Sequence, residues 1–170
     1  MNTAYINERF EQVQQEGKGK GLDSLRQSGL ALFNQLGIPT SKNEEWKYTR
    51  ISGLFNREYV FAGAGTPTPI DPAKLAAIRL PGHENANELF FINGIFSTKL
   101  SAIRSASLQV LPLEEAATNE YAEIVSANLG HSSKYLKDGI HALNTAFIQG
   151  GIFLHVTKGT ITDHPVYIYH

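Results

Sequence analysis

The sequence predicts an α+β chain, on three observations. Apolar residues recur at helical spacing through the first third, an Asn-Gly pair separates two apolar runs in the middle, and two alternating apolar runs stand near the end. Taken in order, Thr3 to Glu16 reads as a helix with Tyr5 or Ile6, Phe10 and Val13 along a narrow apolar stripe. Gly17-Lys18-Gly19-Lys20-Gly21 ends it. A second helix is predicted from Asp23 to Leu36, with Leu25, Leu32, Phe33 and Leu36 near one face. Gly37 then stands where a C′ glycine belongs, and Pro39 blocks continuation. After Thr40-Ser41 a third helical piece should begin near Asn43, its N-terminal dipole favouring Glu44 and Glu45. It would carry Trp46 and continue or restart through Ile51, Leu54 and Phe55.

Ala62 to Pro69, rich in Gly, Pro and Thr, reads as a flexible connector. It separates a helical region, residues 1–61, from a mixed α/β region, residues 70–150. Asp71 to Ile78 fits a short helix capped by Asp71, with Pro72 at its first position. Glu88 to Ile92, Asn93-Gly94 and Ile95 to Ser97 form a hairpin signal, because both turn residues tolerate positive φ. A strand is expected at Leu108 to Leu111, then helices over Pro112–Ala117, Glu120–Leu129 and Ile140–Ile148. Leu143-Asn144-Thr145-Ala146-Phe147 closes the last helix, and Gly150-Gly151 stops it. Ile152 to Val156 and, after Pro165, Val166 to Tyr169 alternate as strands. An apolar strand at a terminus offers an open edge for pairing. The sequence therefore reads as the front part of a longer protein, with residues 151–170 as a third segment. Two copies of the chain are expected to associate through these terminal strands.

Charge is balanced and evenly spread. The chain has 15 Lys+Arg and 16 Asp+Glu, a net −1; residues 1–61 carry 8 basic and 7 acidic side chains and residues 62–170 carry 7 and 9. No basic stripe is present to neutralise phosphates, which argues against nucleic acid as a partner. No apolar run approaches the roughly 18 residues that a membrane helix needs, so no membrane partner is expected. The absence of cysteine removes disulfides, thiolate nucleophiles and thiolate-held clusters from this chain. Met1-Asn2-Thr3-Ala4-Tyr5 lacks the basic and apolar regions of a signal peptide. A cytoplasmic location is the expectation.

Candidate sites are few. The Gly-Lys-Gly-Lys-Gly run lacks the preceding strand and the Gly-Lys-Ser/Thr of a phosphate loop, and reads as an exposed interhelical loop. His83, His131, His141, His155, His164 and His170 show no tight ligand spacing. His155 and His164 flank one turn and would approach each other if their strands paired, which leaves a small metal- or ligand-binding protein as an alternative. No Gly-x-Ser-x-Gly elbow is present. Glu44-Glu45-Trp46-Lys47-Tyr48-Thr49 supports two readings. It is a partner-binding hot spot, or Trp46 packs into one core with Phe33 while the charges face water, the reading packing favours. A generic protein-interaction module is the remaining alternative.

These residues carry a resemblance. Gly37-Ile38-Pro39-Thr40 followed by Glu44-Glu45-Trp46-Lys47-Tyr48-Thr49 resembles the N-terminal motif of the SufD family, scaffold subunits of the Suf iron–sulfur cluster assembly machinery. Phe91-Ile92-Asn93-Gly94-Ile95-Phe96-Ser97, Leu113-Glu114-Glu115-Ala116, and Leu143-Asn144-Thr145-Ala146-Phe147 leading into Gly151–Gly159 agree in order and spacing, so that the resemblance spans roughly residues 22–170. The sister SufB family shares the later pattern, whereas the early Pro-Thr and Glu-Glu-Trp-Lys-Tyr-Thr arrangement favours SufD. The resemblance implies a partly helical N-terminal domain followed by a right-handed parallel β-helix, whose start would be residues 151–170. It implies a non-enzymatic subunit that pairs with SufB and holds the ATPase SufC, while the complex assembles the iron–sulfur cluster. It implies no catalytic, cofactor-binding or metal-binding residue in this chain. Pro39, Glu44, Glu45, Trp46, Lys47, Tyr48, Thr49, Asn93, Gly94, Leu143 and Asn144 enter as structural or interface positions.

Overall fold

The computed structural model describes residues 3–15, 20–57, 59, 70–134 and 138–170. The predicted connector at 62–69 and residues 17–19 of the glycine–lysine loop lie outside these. Six helices are described: α1 (Thr3–Gln15), α2 (Asp23–Leu36), α3 (Pro72–Ile78), α4 (Leu113–Ala116), α5 (Ala122–Asn128) and α6 (Gly139–Ala146). Five strands accompany them: β1 (Asn87–Ile92), β2 (Ile95–Phe96), β3 (Leu108–Pro112), β4 (Ile152–Val156) and β5 (Val166–Tyr169). The chain is therefore mixed α and β, as predicted. It forms two compact units, one of Met1–Phe61 with Glu114–Ile148 and one of Ala62–Leu113 with Gln149–His170.

The first unit is helical, and its centre is the pairing of α2 with α6. Phe33 is fully buried with Ile38 and Ala142, and Ile6, Leu32, Ile51, Phe55 and Leu143 pack around them. The helices lie close because Gly29 faces α6; a Cβ there would come within 2.6 Å of the Ala146 nitrogen. Phe10 of α1 meets Phe147 edge to face, with ring centres 6.0 Å apart. The helix α2 ends as its sequence dictates, with the Gly37 N–H returning 2.7 Å to the Phe33 carbonyl. Its buried face keeps Phe33 of the predicted stripe, with Leu32 packed against that core, but differs at the other positions. Arg26, Gly29 and Phe33 are buried, and Leu36 is exposed. Those three positions keep the three- and four-residue spacing of a helical face, but two of them are not large apolar residues.

The third predicted helix is corrected to two 3₁₀ turns, Glu44–Trp46 and Ser52–Asn56. The cause is local. Asn43 turns its side chain back to accept from the Thr40 N–H at 2.9 Å, so it caps none of the free N–H groups that follow it. Trp46 is corrected with it, because the indole is only half-buried and stands outside the Phe33 cluster.

The second unit is built on small sheets. Strand β1 pairs antiparallel with β2 and parallel with β5, giving the order β2-β1-β5, while β3 and β4 form a separate antiparallel pair. The hairpin follows its sequence signal: Asn93 (φ 51) and Gly94 (φ 81) both take positive φ between the paired Ile92 and Ile95. Likewise, the Asp71 side chain accepts from the Ala73 N–H at 2.9 Å and starts α3 beside Pro72. Phe90 stacks on Tyr169 across the parallel pair, with ring centres 4.5 Å apart. The two terminal strands do not pair with each other. His155 therefore sits opposite Gln109 in the β3–β4 ladder, while the His164 ring bonds the Asn85 carbonyl at 2.8 Å.

Candidate functional site

Most of the sequence-predicted site residues gather on the helical unit, around two depressions that share α6. The first is a polar cleft of about 300 Å³. Pro39, buried after the end of α2, and the turn Glu44–Trp46 form one wall, and Asp138 and Gly139 at the start of α6 form the other. The turn is fixed by its backbone: the Trp46 N–H donates to the Asn43 carbonyl at 2.9 Å and the Thr49 N–H to the Trp46 carbonyl at 3.0 Å. Glu44 and Glu45 are exposed at its rim. Asp138 serves α6, its carboxylate accepting from the Ile140 and His141 N–H groups at 2.8 and 2.9 Å.

Beyond the cleft the motif runs into solvent. Tyr48 is 91% exposed, Lys47 holds its ammonium 5.6 Å from the Tyr48 ring centre, and Thr49 is exposed. Leu143 and Asn144 line the second depression, an apolar groove between α1 and α6. Leu143 also packs against the Phe33 core, whereas Asn144 is exposed. Asn93 and Gly94 stand apart from both, in the hairpin turn of the sheet unit.

Sequence reasoning missed two buried charges. Arg26 donates to the Ile148 carbonyl from Nε at 3.0 Å and from Nη2 at 2.9 Å, and lies 3.3 Å from Asp23 and 3.9 Å from Glu114. In the sheet unit the Glu88 side chain is 2% exposed, with Arg79 at 3.2 Å, His83 at 3.7 Å and Arg104 at 3.8 Å. Beside it, Asn87 bonds the Ser105 hydroxyl at 3.0 Å and the Arg104 and Ser105 N–H groups at 2.8 and 2.9 Å. The available signal for Arg26 was its position, four residues after buried Leu22 and three before Gly29. For Glu88 it was a carboxylate entering an otherwise apolar strand. Ser105 also bonds Asp163, and this bond, with the Asp163 backbone N–H and the His164 charge, holds the Asp163 carboxyl below its ordinary value.

Among the described residues no three His, Asp or Glu side chains converge on a possible metal position. No helix among them is long and apolar enough to cross a membrane.

Comparison with known proteins bears on the whole chain. Residues 2–168 match the family described as the SufBD protein N-terminal region. An iron–sulfur cluster assembly SufBD family protein of Synechocystis sp. strain PCC 6803 is 34% identical over 80 residues, a stretch that takes in 47% of this chain and 17% of that relative. The family match extends through both helical and sheet units and takes in the turn at Glu44–Trp46, the hairpin and α6, so the chain belongs to the SufBD family through its N-terminal region.

Proposed function

We propose that this chain is the N-terminal part of a SufD-type scaffold subunit in Suf iron–sulfur cluster assembly, and that it performs no chemistry itself. The observation that carries this reading is the family match over residues 2–168. The early Pro39-Thr40 and Glu44–Thr49 arrangement supports SufD over SufB. The exposed Tyr48 ring, 91% accessible, is a side chain suited to a partner contact in such a scaffold. A scaffold of this kind works in the cytoplasm with SufB and SufC, and the iron–sulfur cluster is the cargo of the complex. With no cysteine of its own, this chain supplies no thiolate to that cargo. A right-handed parallel β-helix continuing from β4 and β5 would provide the SufB interface.

The test is co-expression of the full-length protein with tagged SufC and untagged SufB. Recovery of all three through affinity capture and gel filtration is the expected result. Recovery of SufB and SufC together, with this protein excluded, would sink the scaffold reading. Anaerobic reconstitution of the 170-residue chain, followed by desalting and iron analysis, should leave it colourless, and stoichiometric retained iron would count against the proposal.

A further inference from the structure

The Asn93-Gly94 turn carries chemistry that its role in the hairpin does not use. Asn-Gly occurs once in the chain, and so does Asp-Gly, at Asp138-Gly139. Each pair places a side-chain carbonyl carbon one ring closure away from the backbone nitrogen of a glycine, which has no Cβ to obstruct the approach. The structure treats the two pairs in opposite ways.

Asp138-Gly139 is held. The carboxylate accepts from the Ile140 and His141 N–H groups at 2.8 and 2.9 Å. A Cβ on buried Gly139 would fall 1.7 Å from the Gly37 carbonyl oxygen. Asn93-Gly94 is open. Both residues are exposed, and a Cβ on Gly94 would meet nothing within 4 Å. Among the described residues no hydrogen bond engages the Asn93 side-chain amide or the Gly94 N–H. The restraint on this turn is slight, because β2 contributes only Ile95 and Phe96 to the pairing with β1, and a two-stranded hairpin is marginal by itself.

We propose that Asn93 is a site of spontaneous deamidation, which local opening of the turn allows to proceed. The Gly94 nitrogen attacks Asn93 Cγ and forms a C–N bond. The bond from Cγ to the side-chain nitrogen breaks, and ammonia leaves with the proton that the Gly94 nitrogen gives up. Water then adds to one of the two carbonyls of the five-membered imide, giving aspartate from one and isoaspartate from the other. Water is the sole co-reactant. Aspartate tolerates the left-handed turn, so that product keeps the hairpin. Isoaspartate lengthens the main chain by one methylene, and a two-residue turn absorbs this only by losing the register of Ile92 with Ile95. Strand β2 then parts from β1. The bonds from the Phe96 N–H to the Gly150 carbonyl at 3.2 Å and from the Ser97 N–H to the Phe90 carbonyl at 2.8 Å go with it. This assignment is independent of the scaffold reading, because it rests on the turn alone.

The test incubates the 170-residue chain in mildly alkaline buffer, folded and, in parallel, unfolded in guanidinium chloride. Peptide mapping by mass spectrometry follows both glycine pairs, and an isoaspartyl-specific methyltransferase with labelled S-adenosylmethionine is the probe for isoaspartate. Each pair's rate in the unfolded chain is its own reference. In the folded chain Asn93 should convert within about tenfold of that reference, whereas Asp138 should be slowed about a hundredfold or more, since its opening disrupts the start of α6. Isoaspartate-containing chains, separated by ion exchange, should lose hydrogen-exchange protection at Phe96 and Ser97 and keep it in α6. Asn93 slowed as strongly as Asp138, isoaspartate arising first at another asparagine of the folded chain, or unchanged protection at Phe96 and Ser97 after modification would each overturn the proposal.

Discussion

Arg26 occupies a position on α2 where a leucine would fill the space, and its guanidinium does what no aliphatic group can. It satisfies a backbone carbonyl just beyond the C-terminal end of α6, where the helix dipole favours positive charge. Asp23 and Glu114 lie beside it, so the charge is compensated as well as hydrogen-bonded. Arg26→Met keeps most of the volume but strips the Ile148 carbonyl of both donors. We expect a loss of about 2–4 kcal/mol, read as a lower urea midpoint at unchanged slope; a midpoint within error of the parent would contradict this account. Trp46 sits at the other extreme. A half-buried indole outside the Phe33 cluster should cost only about 1–2 kcal/mol on Trp46→Ala, less than the 3–5 of a fully buried ring. The melting temperature should drop by a few degrees, and unfolding of the helical unit would show that the ring is a core residue after all. Asp163 supplies a pH signature. Its folded pKa is lowered from the ordinary 3.8, chiefly by the Ser105 hydroxyl. The stabilising contribution is therefore fully present above pH 3.8 and is lost as pH falls through the lowered folded value. The stability difference between the parent chain and Asp163→Asn should shrink across that acidic window, and a difference that stays constant there would rule the linkage out.

At the scale of elements, what was legible in the sequence was what short-range chemistry decides. Asn93-Gly94 encodes a two-residue turn because both residues accept positive φ. Asp71-Pro72 starts a helix because one side chain caps it and the other needs no N–H donor. The end of α2 is written in Gly37. The turn at Glu44–Trp46 escaped because the competing bond, Asn43 to Thr40, is a side-chain choice that helical periodicity does not register. Partners distant in sequence were equally hidden. Nothing local states that β1 takes β5 as a parallel neighbour, with Leu89 opposite Ile168, or that α6 packs on α2. Only the small residues hint at the helix pair, since Gly29, Ala142 and Ala146 permit a close approach. That approach is testable. Gly29→Ala gains about 1 kcal/mol of helix propensity, yet its Cβ would lie 2.6 Å from the Ala146 nitrogen and 3.0 Å from the Ala142 carbonyl oxygen. Backbone atoms do not step aside, so overpacking should win and the variant should be less stable by about 1–3 kcal/mol. A stabilised Gly29→Ala protein would mean that the two helices are free to separate.

For the whole molecule, the consequential feature is the pair of strands with uncovered sides in the sheet unit. Among the described residues β4 pairs only with β3, and β5 only with β1. Apolar side chains accompany these open edges: Leu154 is 41% exposed, Val156 43% and Ile168 48%. Unpaired N–H and C=O groups beside exposed β-branched and leucine side chains are a template for strand addition. In the full-length protein further coils of a β-helix or SufB would be the natural cover under the proposed function. In the 170-residue chain alone, a second copy offers the same complementary edge. We therefore expect concentration-dependent association in sedimentation equilibrium, since each edge can satisfy the other's backbone groups while burying Leu154, Val156 and Ile168. Lysine is the residue natural edges use to prevent such pairing. The double variant Leu154→Lys with Val156→Lys should consequently weaken association through β4 while leaving the β3–β4 ladder intact, and Ile168→Lys makes the corresponding test of β5. Association that survives all three lysines would place the contact elsewhere, and a parent chain monomeric at the highest soluble concentration would show that these edges do not recruit a partner of their own kind.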